Sequence, residues 1–206
     1  MDPGRKRGIT IKILAVSDVV APEYYDWYRP GRLAEFDLIL GCGDLKREYL
    51  EFLVTMARCP LLYVRGNHDD LLLREPPEGC VCIEDKLYQY QGIRILGLGG
   101  ACRYRAGENM YTEGEMSRRI LRQKLRLWRS GGVDILLTHA PARHLNDMDD
   151  LPHRGFECFN RLMEDYRPRY FVHGHIHHSY GFKIPRLSAY GDTTVINACG
   201  SYAFDY

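Results

Sequence analysis

Apolar runs of strand length recur along this chain, and again and again they stop at small residues and metal-ligating side chains. The run 9–16, ITIKILAV, ends in Ser17-Asp18. DLIL (37–40) runs into Gly41-Cys42-Gly43-Asp44, and LLYV (61–64) into Arg65-Gly66-Asn67-His68-Asp69. VDILLT (133–138) ends at His139-Ala140-Pro141, and RYFVH (169–173) at Gly174-His175-Ile176-His177. In α/β sheets the carboxyl ends of the strands point to one rim, and ligands bind there. Glycine beside the polar residue lets the chain turn sharply and lets backbone approach a ligand closely.

The remaining pattern completes a fold class. GIRILGLG (92–99) and TTVIN (193–197) read as further strands, and CVCI and LYQY, separated by Glu84-Asp85-Lys86, as a hairpin. Between strands lie helical periodicities. Tyr49, Phe52, Leu53 and Met56 share one face, Leu121, Leu125 and Trp128 a second, and Phe156, Phe159 and Met163 a third. Helices alternate with strands early, and hairpins dominate the middle and end. The expectation is an α/β fold, a four-layer α/β/β/α sandwich, as a single domain over residues 1–206.

Bulk properties narrow the classes of function. The 28 Lys and Arg nearly cancel the 27 Asp and Glu, so no global field favours nucleic acid. The N-terminus MDPGRKRG is charged, and the apolar run after it is too short for a signal core. No stretch approaches the roughly 20 apolar residues of a membrane span. The seven cysteines are scattered, without a C-x-x-C pair, and read as reduced thiols. A cytoplasmic protein without a membrane partner is expected.

Two Asp, one Asn and several His at one rim form a mixed nitrogen and oxygen donor set. It suits Mn, Fe, Co, Ni or Zn better than Ca. Each residue has a plainer reading on its own. Asp18 is a candidate cap, Asp44 a candidate N-cap for a helix over 45–57, Asn67 an Asx-turn residue, and His139 a core histidine. Their recurrence in successive loops with matching glycines favours a shared site.

The order Asp18, Gly43-Asp44, Gly66-Asn67-His68-Asp69, His139, Gly174-His175-Ile176-His177 resembles the calcineurin-like metallophosphoesterase superfamily over nearly the whole chain. The resemblance implies the four-layer sandwich and a centre of two divalent transition-metal ions, with Mn preferred. Carried over, Asp18, Asp44 and His177 hold the first ion. Asp44, as the bridge, joins Asn67, His139 and His175 on the second. His68 becomes the catalytic acid, or a group that stabilises the attacked phosphate. His173 and His178 flank the motif and read as structural or supporting residues.

The sequence departs from the family at two places. Val20 stands where the first ion's histidine is usual, which implies a weaker first site. His153, in Asp150-Leu-Pro-His153, is the candidate replacement ligand or phosphate contact, ahead of His144. Arg47 stands where an Asp often follows the bridging Asp; Asp69 is the candidate to orient His68 instead. Arg65 is a candidate phosphate contact.

The expected function is hydrolysis of a small-molecule or nucleotide phosphodiester or phosphomonoester by metal-activated water. The alternative is a catalytically weakened scaffold or interaction module on the same fold. Tyr24, Tyr25, Trp27 and Tyr28 are expected to pack their loop onto the domain. The stripe Arg118, Arg122, Arg126 and Arg129 reads as the solvated face of a covering helix, opposite its apolar face, so nucleic acid is not the expected partner.

Overall fold

Strand alternation builds the layers. In β1 (Lys12–Ser17), Ile13 and Ala15 enter one buried cluster and Leu14 and Val16 another. Both faces of this strand are therefore covered, as its unbroken apolar run requires. The computed structural model describes residues 10–177 and 184–206. The charged residues 1–8, Ile9 and His178 lie outside them.

Beyond β1 the strands are β2 (Leu38–Gly41), β3 (Leu61–Tyr63), β4 (Val81–Cys82), β5 (Lys86–Tyr90), β6 (Ile93–Leu98), β7 (Ala101–Cys102) and β8 (Met110–Tyr111). They continue with β9 (Ile135–Thr138), β10 (Tyr170–His173), β11 (Leu187–Tyr190), β12 (Thr193–Asn197) and β13 (Gly200–Asp205). The helices are α1 (Arg47–Ala57), α2 (Glu113–Ser130) and α3 (Glu157–Tyr166). One sheet has the order β13-β1-β2-β3-β4 and the other β11-β12-β10-β9-β6-β5, with β7-β8 a small separate pair.

Ile13, Leu40 and Leu62 of the first sheet meet Ile95, Leu137 and Val172 of the second in the central cluster. α1 covers the outer face of the first sheet through Tyr49, Leu50 and Leu53. α2 and α3 cover the second through Met116, Leu127, Phe159 and Leu162. This is the expected α/β/β/α sandwich. β1, β2 and β3 are parallel neighbours, as are β6, β9, β10 and β12. Their carboxyl ends carry the polar loops.

Three local expectations change. The segments CVCI and LYQY are not a hairpin, because β4 pairs with β3 and β5 with β6, in different sheets. The true hairpin is β5–β6. Its turn residues Gln91 and Gly92 both have positive φ, the conformation whose twist matches the paired strands. α1 starts at Arg47 with Lys46 as its cap residue, so Asp44 is not the helix cap. Its buried face is Tyr49, Leu50, Leu53 and Ala57, whereas Met56 is exposed.

The third change concerns α2. Leu121, Leu125 and Trp128 are 61%, 65% and 76% exposed, while Met116, Arg119, Ile120, Gln123 and Leu127 are buried. The helix buries a face holding two polar side chains because Arg119 finds partners there. It pairs with Glu84, donates to Asp85 Oδ1 at 2.8 Å and to the Gly99 carbonyl at 2.8 Å, and lies 4.3 Å over the Tyr111 ring. A capping box of Thr112 and Glu115 fixes where α2 begins.

In the loop after Asp18, Tyr24 packs edge-on against Phe36, Tyr25 against Tyr49, and Tyr28 against Phe52. Trp27 remains 72% exposed. Among the described residues there is no disulfide. Among the described residues, no helix is long and apolar enough to cross a membrane.

Candidate metal centre

The strand ends do converge. One donor atom from each of Asp18, Asp44, His139 and His175 lies within 4.8 Å of the others. Three of these four residues sit in the left-handed backbone region, Asp18 at φ 61°, Asp44 at 56° and His175 at 69°. A non-glycine residue held there costs about 1–3 kcal/mol, and such strain gathers where a side chain must be aimed. The loops also need to pass very close to one another. A Cβ on Gly66 would collide with the Asp44 carboxylate, and one on Gly174 with the Ser17 hydroxyl.

Each donor commits one atom to the backbone and leaves another for the centre. Asp18 Oδ2 accepts the His175 N–H at 2.8 Å, and Asp44 Oδ1 accepts the His68 N–H at 2.8 Å. His139 Nδ1 lies 2.7 Å from the Cys42 carbonyl and His175 Nε2 2.7 Å from the Pro152 carbonyl. Carbonyls only accept, so these nitrogens carry hydrogens and the opposite nitrogens are the ones available to an ion. Asp18 Oδ1 is buried at the centre, 3.5 Å from His177 Nε2. Mixed imidazole and carboxylate donors of this kind fit a divalent transition ion, and among the described residues no cysteine joins the group.

The electrostatics agree. Burial opposes charge on His139, but Asp44 and then Asp18 outweigh it and raise its pKa to about 10. Burial likewise opposes charge on Asp44, yet His139 and the His68 N–H hold its pKa at about 2. The carboxylates thus demand a positive countercharge. A divalent ion meets the same demand and displaces the proton. His175 is pushed down to about 3 by burial and by His139, so it stays a neutral donor.

The other expected residues fall into two groups. Asn67 is buried with Oδ1 2.9 Å from His139 Nε2, and His177 Nε2 lies 3.5 Å from Asp18 Oδ1. Both adjoin the four. His68 is exposed and helps line a cleft of about 440 Å³ shared with Asp44, Leu45, Lys46, Leu71 and Leu72.

Others do different work from that expected. Asp69 Oδ2 accepts the N–H groups of Asp44 and Gly66, both at 2.8 Å. It ties two loops together, and among the described residues no bond joins it to the His68 ring. Burial and the nearby Asp44 raise its pKa to about 6. The Arg65 guanidinium is taken up by Asn109 Oδ1 at 3.3 Å and Cys82 Sγ at 3.5 Å. His153 lies with its ring 5.3 Å from that of His175 and Nδ1 2.6 Å from Asp150 Oδ2. It buttresses His175 and is outside the group of four. His144 is exposed. Val20 packs against the apolar cluster beneath α1. His173 is buried against Phe171, its Nδ1 on the Gly174 carbonyl, as a structural residue.

Sequence reading missed three contributors. Tyr104 OH lies 3.5 Å from Asn67 Nδ2, on a loop with no motif to mark it. The Cys42 and Pro152 carbonyls orient the histidines, and a carbonyl belongs to every residue.

The family pattern described as calcineurin-like phosphoesterase matches residues 11–179. A 70-residue stretch is 40% identical to the UPF0046 protein T07D4.2 of Caenorhabditis elegans, covering 33% of this chain and 16% of that protein. That match spans only a small part of the relative's length. The crystal structure of TT1561 of Thermus thermophilus superposes with a TM-score of 0.65 at 19% identity, over 93% of this chain and 90% of that one. Another crystal structure superposes at 0.67 with 15% identity, over 96% and 95%. At such identities these two likenesses speak for the fold alone. With the pattern running through the strand-end loops just described, the chain belongs to the calcineurin-like phosphoesterase family.

Proposed function

We propose that the protein is a metal-dependent phosphoesterase acting on a small-molecule or nucleotide phosphodiester or phosphomonoester. The observation that carries this reading is the clustering of Asp18, Asp44, His139 and His175 donor atoms within 4.8 Å. Asp18, Asp44 and His177 would hold a first divalent ion. Asp44, Asn67, His139 and His175 would hold a second, with Mn²⁺ the preferred ion at both. When bound, the pair would supply Lewis acidity and a water of lowered pKa.

The chain's own groups do the rest. The Cys42 and Pro152 carbonyls fix the two imidazole tautomers. The His68 N–H pins Asp44, and the same residue lines the cleft that Asp44 adjoins. There it hands a proton to the oxygen of the departing alcohol. Leu45, Leu71 and Leu72 offer the organic part of the substrate an apolar wall, and Lys46 and Arg47 share the cleft with Glu48, Glu51 and Glu75. We place the activity in the cytoplasm, on a substrate that is neither nucleic acid nor membrane.

Val20 favours a second reading. Its side chain packs in the apolar cluster under α1, so the first site lacks the family's usual histidine. A metal-binding scaffold on this fold is the alternative. Hydrolysis of bis-p-nitrophenyl phosphate decides between the two. The natural protein should turn it over with added Mn²⁺ and stop with a chelator, and His139→Ala should lose at least a hundredfold. No turnover at any Mn²⁺ concentration, with metal still bound, selects the scaffold.

A further inference from the structure

The outer face of α2 is built unlike that of an ordinary covering helix. Leu121, Leu125 and Trp128, at i, i+4 and i+7, form one line and are 61%, 65% and 76% exposed. At 1.5 Å per residue the line is about 10 Å long, two helical turns. Bases border it on both sides, with Arg118, Arg122 and Arg129 along one flank and Lys124 along the other, all exposed. Among the described residues none of these four has an ion-pair partner. Beside the line, between α2 and α3, lies a groove of about 240 Å³ lined by Ile120, Leu121, Leu162 and Tyr166 together with the charged Lys124, Arg161 and Asp165. Scattered exposed leucines need no explanation, but a continuous exposed stripe marks an interaction surface.

We propose that this face of α2 docks an acidic amphipathic helix of another protein. Spacing at i, i+4 and i+7 is the pattern by which helices present anchors to one another. The stripe asks for an apolar partner face, and bases on both flanks ask for carboxylates on both flanks. Charge also separates this occupant from two others. A second copy would set Arg118, Arg122, Arg129 and Lys124 against themselves. A flat anionic bilayer broad enough to cover α2 would also meet the exposed Glu157 and Glu164 of α3. A single helix along α2 is narrow enough to pair with the bases and fill the adjoining groove.

The protein has two tryptophans, so Trp27→Phe leaves Trp128 as the only one. The probe is a synthetic 18-residue helix with leucines on one face and glutamates on both flanks, set against a scrambled peptide of equal composition. Docking should give a saturable blue shift of Trp128 emission with the designed helix, weakening as salt rises. Binding should fall at least tenfold with the scrambled peptide, with Leu125→Glu and with Arg118→Glu/Arg122→Glu. Both variants alter exposed positions, and unchanged circular dichroism verifies their fold. Equal binding of the two peptides, or no saturable binding, overturns the proposal. A shift with phosphatidylserine vesicles but not with the peptide assigns the face to a bilayer. Self-association that Leu125→Glu abolishes assigns it to a second copy.

Discussion

Asp18, Asp44 and His175 occupy a backbone region that residues with a Cβ seldom adopt, and each aims a donor at the same point. Relaxing that geometry removes the site, which makes single residues the sharpest probes. Val20→His would add the missing imidazole donor, and should fill the first site at roughly tenfold lower Mn²⁺, read by calorimetry; unchanged affinity would mean the loop cannot bring residue 20 inward. His68→Asn should keep metal and fold, lose a hundredfold or more on alkyl phosphodiesters, and lose far less on p-nitrophenyl esters, whose leaving group needs little protonation. Equal losses on both would assign the ring to the phosphoryl oxygens. At this scale the sequence was most legible where chemistry is carried by side chains beside glycine. The donors Asp18, Asp44, His139 and His175 could all be marked from their strand ends. The Asp69 carboxylate, spent on two backbone N–H groups, could not be told from one orienting His68. The choice depends on loop distances that no motif encodes.

Among the elements, buried charge connects what strand pairing alone does not. Arg119 on α2 pairs with Glu84, whose oxygens also accept the N–H groups of Arg65 at 3.2 Å and Gly99 at 2.8 Å. The helix is thus fastened to the strand end that leads into Gly66-Asn67-His68. Arg119→Met leaves Glu84 buried without its countercharge, and should cost about 3–5 kcal/mol in urea unfolding with unchanged slope. A loss below about 1 kcal/mol would contradict that role. Arg94 on β6 and Asp134 before β9 form a second clasp, with contacts of 2.8 and 2.6 Å. Burial raises the Asp134 pKa, and Arg94 more than reverses this to hold it below the ordinary carboxylate value. A lowered folded-state pKa means the stabilisation is present above the unfolded value of about 4 and fades as pH falls through the folded one. Asp134→Asn should therefore lose about 1–2 kcal/mol at pH 7. The difference from the natural protein should shrink steadily below about pH 4 in chemical denaturation. A gap that stays constant down to about pH 2 would contradict it. The α2 face illustrates why elements are harder to read than sites. Periodicity picks the most apolar stripe, Leu121, Leu125 and Trp128. The folded chain buries Arg119 and Gln123 instead, since Arg119 has acidic partners that lie 34 and 35 residues away.

At the scale of the molecule, two sheets meet through Ile13, Leu40, Leu137 and Val172. The carboxyl ends of β1, β2, β3, β9 and β10 supply the loops that meet at the centre. That architecture was readable, because parallel strands buried on both faces produce unbroken apolar runs that stop at polar loops. The assignment of β4 and β5 to different sheets was not, since Glu84 to Lys86 look like a turn until the sheets are placed. The family and the cluster together lead to one central claim, that the convergent strand ends bind divalent metal. Calorimetric titration of the metal-free protein with Mn²⁺ tests it most directly. One tight site is expected, with a second at least tenfold weaker because Val20 supplies no donor, and the tight site is expected to be lost in His139→Ala. No binding, or an unchanged tight site in His139→Ala, would contradict it.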